Sequence, residues 1–90
     1  MNSVSEACSF ENISASTLIY TGTGKMLGIF VASTSSGTIK VWDSTAASGT
    51  VVVNTFTPIA GTFYPIPANF TTGIYVTIAG TCDCTVFFGL

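Results

Sequence analysis

Histidine and arginine are absent from these 90 residues, lysine occurs only at Lys25 and Lys40, and the only acids are Glu6, Glu11, Asp43 and Asp83. Each shortage removes a class of chemistry. Without histidine there is no side chain that ordinarily titrates near neutral pH, and catalytic triads of serine or cysteine with histidine are impossible. Two lysines cannot neutralise the several phosphates from which nucleic-acid binders draw affinity, so no nucleic-acid partner is expected. No apolar run approaches the roughly 18 residues of a membrane-spanning helix, and no membrane partner is expected. The N-terminus also lacks a basic stretch followed by an apolar one, so synthesis without a secretion leader is expected.

Charge is scarce as a whole. Charged residues make up 7% of the chain and hydrophobic ones 48%, where ordinary domains carry about 25% charged residues. So apolar and charge-poor a chain folds rather than staying disordered. Its net charge of −2 protects a small domain only weakly against self-association. A surface of Ser, Thr, Gly and apolar groups therefore suits a component of an assembly, or else a chain that tolerates a bland surface.

What is present is a strand pattern. Thr, Val, Ile, Phe and Gly dominate, glutamine is missing, and the leucines are Leu18, Leu27 and Leu90, which argues against helix. Apolar residues alternate in short runs punctuated by Gly or Pro. The pattern predicts strands at Ser16–Tyr20, Lys25–Ser33, Gly37–Asp43, Thr50–Thr57, Thr62–Ile66, Gly73–Ala79 and Cys84–Gly89. Turns are expected at Thr21–Gly24, Thr34–Gly37 and Gly80–Asp83. Pro58, Pro65 and Pro67 mark strand ends and an edge. Residues 1–13 read as an N-terminal arm or a loose first strand, and residues 14–90 as one domain.

Gly28–Trp42 and Gly73–Phe87 align without a gap: Gly28-Ile29-Phe30-Val31 matches Gly73-Ile74-Tyr75-Val76, and Trp42 falls opposite Phe87. Both segments read as hairpins, either convergent in pattern or equivalent halves of one structure. The fold expected is all-β, a single antiparallel β-sandwich of about seven strands, jelly-roll-like or immunoglobulin-like. Its expected core is Ile29, Val31, Ile39, Val41, Ile74, Val76, Ile78 and Val86.

The remaining candidates for chemistry are thin. Asp43 and Asp83 occupy similar places in the two segments, but a glycosidase needs its carboxyls facing each other about 5 to 9 Å apart, and a turn cap explains each. Cys82-Asp83-Cys84 offers two thiols and, with Cys8, an odd count of three. Zinc would need Asp83 as a fourth ligand, and on a strand that side chain points away from both thiols. Neighbours at i and i+2 also bridge poorly; reduced, buried thiols are expected, with a Cys8 disulfide to one of the pair as the alternative. Thr21-Gly22-Thr23-Gly24-Lys25 has the wrong spacing for a phosphate loop. Asn12-Ile13-Ser14 and Asn69-Phe70-Thr71 match the glycosylation pattern, as chance allows in a Ser/Thr-rich chain. No catalytic residue, metal site, cofactor or small-molecule ligand is expected, and the chain reads as non-enzymatic.

The aromatic residues carry the last signal. Alternation turns Trp42, Tyr75 and Phe87 away from the Ile/Val side of their segments. There they are buried under another layer, anchor a protein interface, or stack on sugars.

The stretch Gly28–Asp43, then Thr57-Pro58, Gly61–Tyr64, Phe70–Thr77 and Cys84–Phe88, resembles small virion proteins of tailed bacteriophages. The resemblance covers residues 14–90 and rests on turns and strands. It implies a β-sandwich that decorates or cements the capsid surface after synthesis in the host cytoplasm. Its partners would be the major capsid protein and copies of itself. A tail or neck fibre component is the next reading, and a carbohydrate-binding module the third.

Overall fold

A computed structural model describes residues 8–89. They form six strands and no helix: β1 (Ser9–Ile13), β2 (Thr17–Thr21), β3 (Gly24–Asp43), β4 (Thr50–Phe56), β5 (Thr62–Phe70) and β6 (Gly73–Gly89). All belong to one antiparallel sheet. The two long strands, β3 and β6, form a central ribbon from Lys25 opposite Gly89 to Asp43 opposite Ile74. At one end of the ribbon β1 and β5 flank it; at the other, β2 and β4 do.

This arrangement repeats itself. The units β1–β2–β3 and β4–β5–β6 each run short, short, long, and the short strands of each unit pair with the long strand of the other. A pseudo-two-fold through the middle of the ribbon relates them. The aligned segments Gly28–Trp42 and Gly73–Phe87 are the two long strands, lying against each other: Ile29 faces Val86, Val31 faces Cys84, and Val41 faces Val76.

The ribbon bends at its centre. Register shifts fall between Val31 and Ser33 and between Ser35 and Thr38, and Ser36 and Gly80 adopt left-handed backbone angles (φ 58° and 76°). Gly37 is required there because an added Cβ would stand 2.6 Å from the Thr81 carbonyl oxygen. One consequence is that Thr34–Gly37 and Gly80–Asp83 are not chain reversals. Each expected hairpin is a single bent strand, and the seven expected strands become six once β1 is added. Ser- and Gly-rich segments lower the strain of a bend as readily as that of a turn.

Alternation sends Ile29, Val31, Ile39, Val41, Ile74, Val76, Cys84 and Val86 to one face, and each is 0% exposed. No helix and no second sheet covers that face among the described residues. A single sheet buries the middle of one face to this extent by folding over, so that one half covers the other. The 18 Å short dimension agrees, since facing layers lie about 10 Å apart with side chains standing outside them. Ile13, Ile19, Met26, Phe70 and Cys82 complete the core, and Ile78 packs at its margin. Ile78 is half-buried because it lies close to the bend, where β2 has ended and Ser16 Oγ accepts its backbone N–H at 3.0 Å.

Of the expected arm, residues 1–7 lie outside the described residues, while Ser9–Ile13 are strand β1, in register with Cys84–Phe88. The prolines fall where a ladder tolerates them: Pro65 and Pro67 are on β5, whose far side is unpaired, and Pro58 lies in the β4–β5 loop.

Candidate interaction surface

Folding the sheet leaves two outer faces, and each carries a stripe of large apolar side chains. On the face formed with β2 and β4, Leu18 pairs with Tyr75, Tyr75 with Trp42, and Trp42 with Val51. The stripe crosses all four strands, with Leu18 40% and Val51 41% exposed at its ends. Trp42 is held in place: its Nε1–H donates to Thr77 Oγ1 at 3.3 Å, and Lys40 Nζ lies 4.3 Å from the ring centroid, a cation–π contact.

On the face formed with β1 and β5, Phe10 pairs with Phe87 and Phe30 with Phe63. The Phe63 and Phe87 rings meet edge to face with centroids 6.2 Å apart. Phe10 is 69% and Phe63 46% exposed. Gly28 makes the cluster possible, because the Phe63 ring occupies the space its side chain would fill. Lys25 stands at one end of this face and Asp83 at the other, where Asp83 Oδ1 accepts from Asn12 Nδ2 at 2.9 Å.

Of the three residues singled out from the sequence, Trp42 and Tyr75 come together, while Phe87 lies on the other face. Leu18, Phe30, Phe63, Phe10 and Val51 were missed. A signal existed for three of them: Leu18 and Phe63, Phe30 and Tyr75, and Trp42 and Phe87 are each 45 positions apart. The spacing of the aligned long strands thus extends to the residues of both stripes.

The faces contrast with the edges. Each unpaired edge strand carries a device against strand addition: Glu11 on β1, an irregularity between Leu18 and Tyr20 on β2, two register shifts along β4, and Pro65 and Pro67 on β5. Between β4 and β5 a cleft of about 490 Å³ opens along the margin of the core, lined by Val52, Val53, Phe56, Tyr64, Ile66, Ala68 and the two prolines. Phe56 and Tyr64 meet edge to face at 5.2 Å, and the Tyr64 hydroxyl accepts from the Ile59 amide at 2.8 Å. None of these lining side chains is charged.

Asp43 and the two buried thiols are committed to structure. Asp43 accepts hydrogen bonds from the amides of Thr71, Thr72 and Gly73 and from the Thr71 hydroxyl, at 2.9 to 3.3 Å. Burial raises its pKa, but these donors outweigh burial and hold the carboxyl below its ordinary value. Asp43 lies opposite Ile74, nine positions along β6 from Asp83, so the two acids do not form a pair across a substrate. Asp83 faces outward while Cys82 and Cys84 are buried, as the alternation required. Burial, with the neighbouring Cys82 and Asp83, pushes the Cys84 thiol up to about 12, and burial raises Cys82 as well. All three thiols are free. By register Cys8 falls beside Gly89, five residues along the ladder from Cys84, or about 17 Å, beyond the reach of a disulfide.

No family model, no curated protein and no solved structure matches this chain.

Proposed function

We propose that this protein is a non-enzymatic structural component of a phage virion, a decoration or cement protein that docks on the capsid shell. The observation that carries the reading is the pair of aromatic stripes across both outer faces of a domain with protected edges and only two lysines. Rigid aromatic side chains supply contact area at low entropic cost, and Trp and Tyr are the residue types on which interface energies concentrate. The Trp42–Tyr75 stripe, with its indole fixed by Thr77 and Lys40, is the shell-docking face in this reading. The folded sheet then serves as a sandwich, its two halves acting as layers that each present a face.

Area supports the same reading. The described residues expose 4664 Å², and a standard interface takes about 800 Å² from each partner. Two or three contacts, to shell and sister copies, would cover roughly a third to a half of the surface and relieve the need for solubilising charge.

The test is a particle assembled without the protein. It should form, burst at lower temperature than the complete particle, and regain stability when purified protein is added back but not when Trp42→Ser is added. Particles of normal shell stability that lack tails or fail to attach to cells would favour the tail or neck reading. Tight binding to soluble glycans with no binding to shells would favour a carbohydrate-binding module, with Trp42 and Tyr75 as its stacking platform.

A further inference from the structure

The two outer faces are related by the internal pseudo-two-fold, but their chemistry differs. The Trp42–Tyr75 face has a cation, Lys40, within its stripe. The phenylalanine face has none among Phe10, Phe30, Phe63 and Phe87; its charges among the described residues lie at opposite ends. Lys25 is level with Gly89 on β6, and Asp83 is six positions away on β6 itself, or about 20 Å. Lys25 points outward, since Gly24 and Met26 on either side are buried, and Asp83 does so between buried Cys82 and Cys84.

We propose that the phenylalanine face is a homotypic interface, on which a second copy of this chain packs its own phenylalanine face about a two-fold axis. The inference deepens the assembly reading and rests on it only in taking association to be this protein's work. Three features select a second copy as the occupant. An axis lying between the faces and running across the strands, level with Val86 and so between Phe30 and Phe87, reverses strand direction in the partner. It brings Lys25 of each copy to the Asp83 end of the other, so the end charges complement rather than repel. Pairing the Trp42 faces in this way would instead bring two Lys40 side chains together. The area also suffices: a molecule 37 × 30 Å across its broad face can supply the roughly 800 Å² per partner of a stable interface.

The phenylalanine rings are set for this role. Phe63 is locked over Gly28 and against Phe87, so little side-chain freedom remains to be lost on contact. With Glu11, the bulges and the prolines guarding the edges, stacking of faces is the mode of association left open.

Sedimentation velocity on the full chain, over a range of concentrations at low salt, tests the proposal. The wild type is expected to be a dimer. Phe10→Asp should weaken it by about tenfold or more, as expected for a buried unpaired charge, with an unchanged far-ultraviolet circular dichroism spectrum. Lys25→Asp should also weaken the dimer, and the exchange Lys25→Asp with Asp83→Lys should restore it, a rescue that general destabilisation cannot mimic. Ile59→Ser, an exposed residue outside both stripes, should leave the dimer intact. A wild type that stays monomeric overturns the proposal. So does a dimer that tolerates Phe10→Asp but dissociates in Trp42→Ser, or an exchange variant no better than Lys25→Asp. Dimerisation is read on the free chain and docking on shells: a dimer that ignores shells sinks the shell reading alone, and a monomer that binds them sinks the homotypic interface alone.

Discussion

Gly28 and Phe63 share one space: the phenylalanine ring of β5 crosses the backbone of β3 where Gly28 has no side chain. An added Cβ would meet that ring and would stand 2.6 Å from the Tyr64 carbonyl oxygen. Gly28→Ala is therefore expected to destabilise the fold by about 1–3 kcal/mol, the range of an overpacked site. Phe63→Ala in the same chain should restore only part of the loss, because the clash with the Tyr64 backbone persists. A double-mutant cycle by urea denaturation measures both, and full restoration would mean that the ring alone sets the constraint.

Val76 is 0% exposed between the two halves of the sheet. Val76→Asp should leave the isolated domain unfolded, since an unpaired buried charge meets a total stability of about 5–15 kcal/mol. Ile29→Ala at an equally buried site should lower stability by about 2–5 kcal/mol and leave a folded protein. Circular dichroism and denaturant midpoints check the pair, and a folded Val76→Asp protein would contradict the core described above.

Asp43 makes stability depend on acid. Its folded-state pKa lies below the ordinary carboxyl value it has when unfolded, so its stabilisation is complete above the unfolded value and lost as pH falls through the folded one. Asp43→Asn should lower the melting temperature by a few degrees at neutral pH. The two proteins should converge as the pH falls through the lowered folded-state value and the carboxyl is protonated in both states. Parallel melting curves across that range would show that the carboxylate is not the titrating group.

The thiols should separate into two classes. Cys82 and Cys84 are buried and their pKa values raised, so almost no thiolate is present at neutral pH, whereas Cys8 is half-buried. A maleimide reagent should label Cys8 in the native protein and all three cysteines only in denaturant. Mass spectrometry counts the labels, and rapid native labelling of Cys84 would contradict its burial.

The strand character, the core and the outward direction of the aromatic residues were legible in the sequence because they depend on the period-2 alternation of single strands. Ile29 and Val31, or Ile74 and Val76, declare a buried face without reference to any partner. Trp42, Tyr75 and Phe87 point the other way by the same rule. The 45-residue offset was legible too, and following it back to Leu18 and Phe63 reaches both stripes. Ser9–Ile13 was harder: five residues with Glu11 at their centre show little pattern, and what makes them a strand is the free edge of β6 at Cys84–Phe88.

Tertiary structure alone decided whether the chain reverses or bends at Thr34–Gly37 and Gly80–Asp83. Ser, Thr and Gly lower the local strain of both outcomes, so the choice falls to pairing some 40 to 50 residues away in sequence, where each long strand finds the other bent at the same level. The same long-range pairing decided which outward residues meet. Trp42 and Tyr75 became neighbours because β3 and β6 run antiparallel in that register. Phe87 went to the opposite face because the ribbon folds between them, a fact held in no single strand.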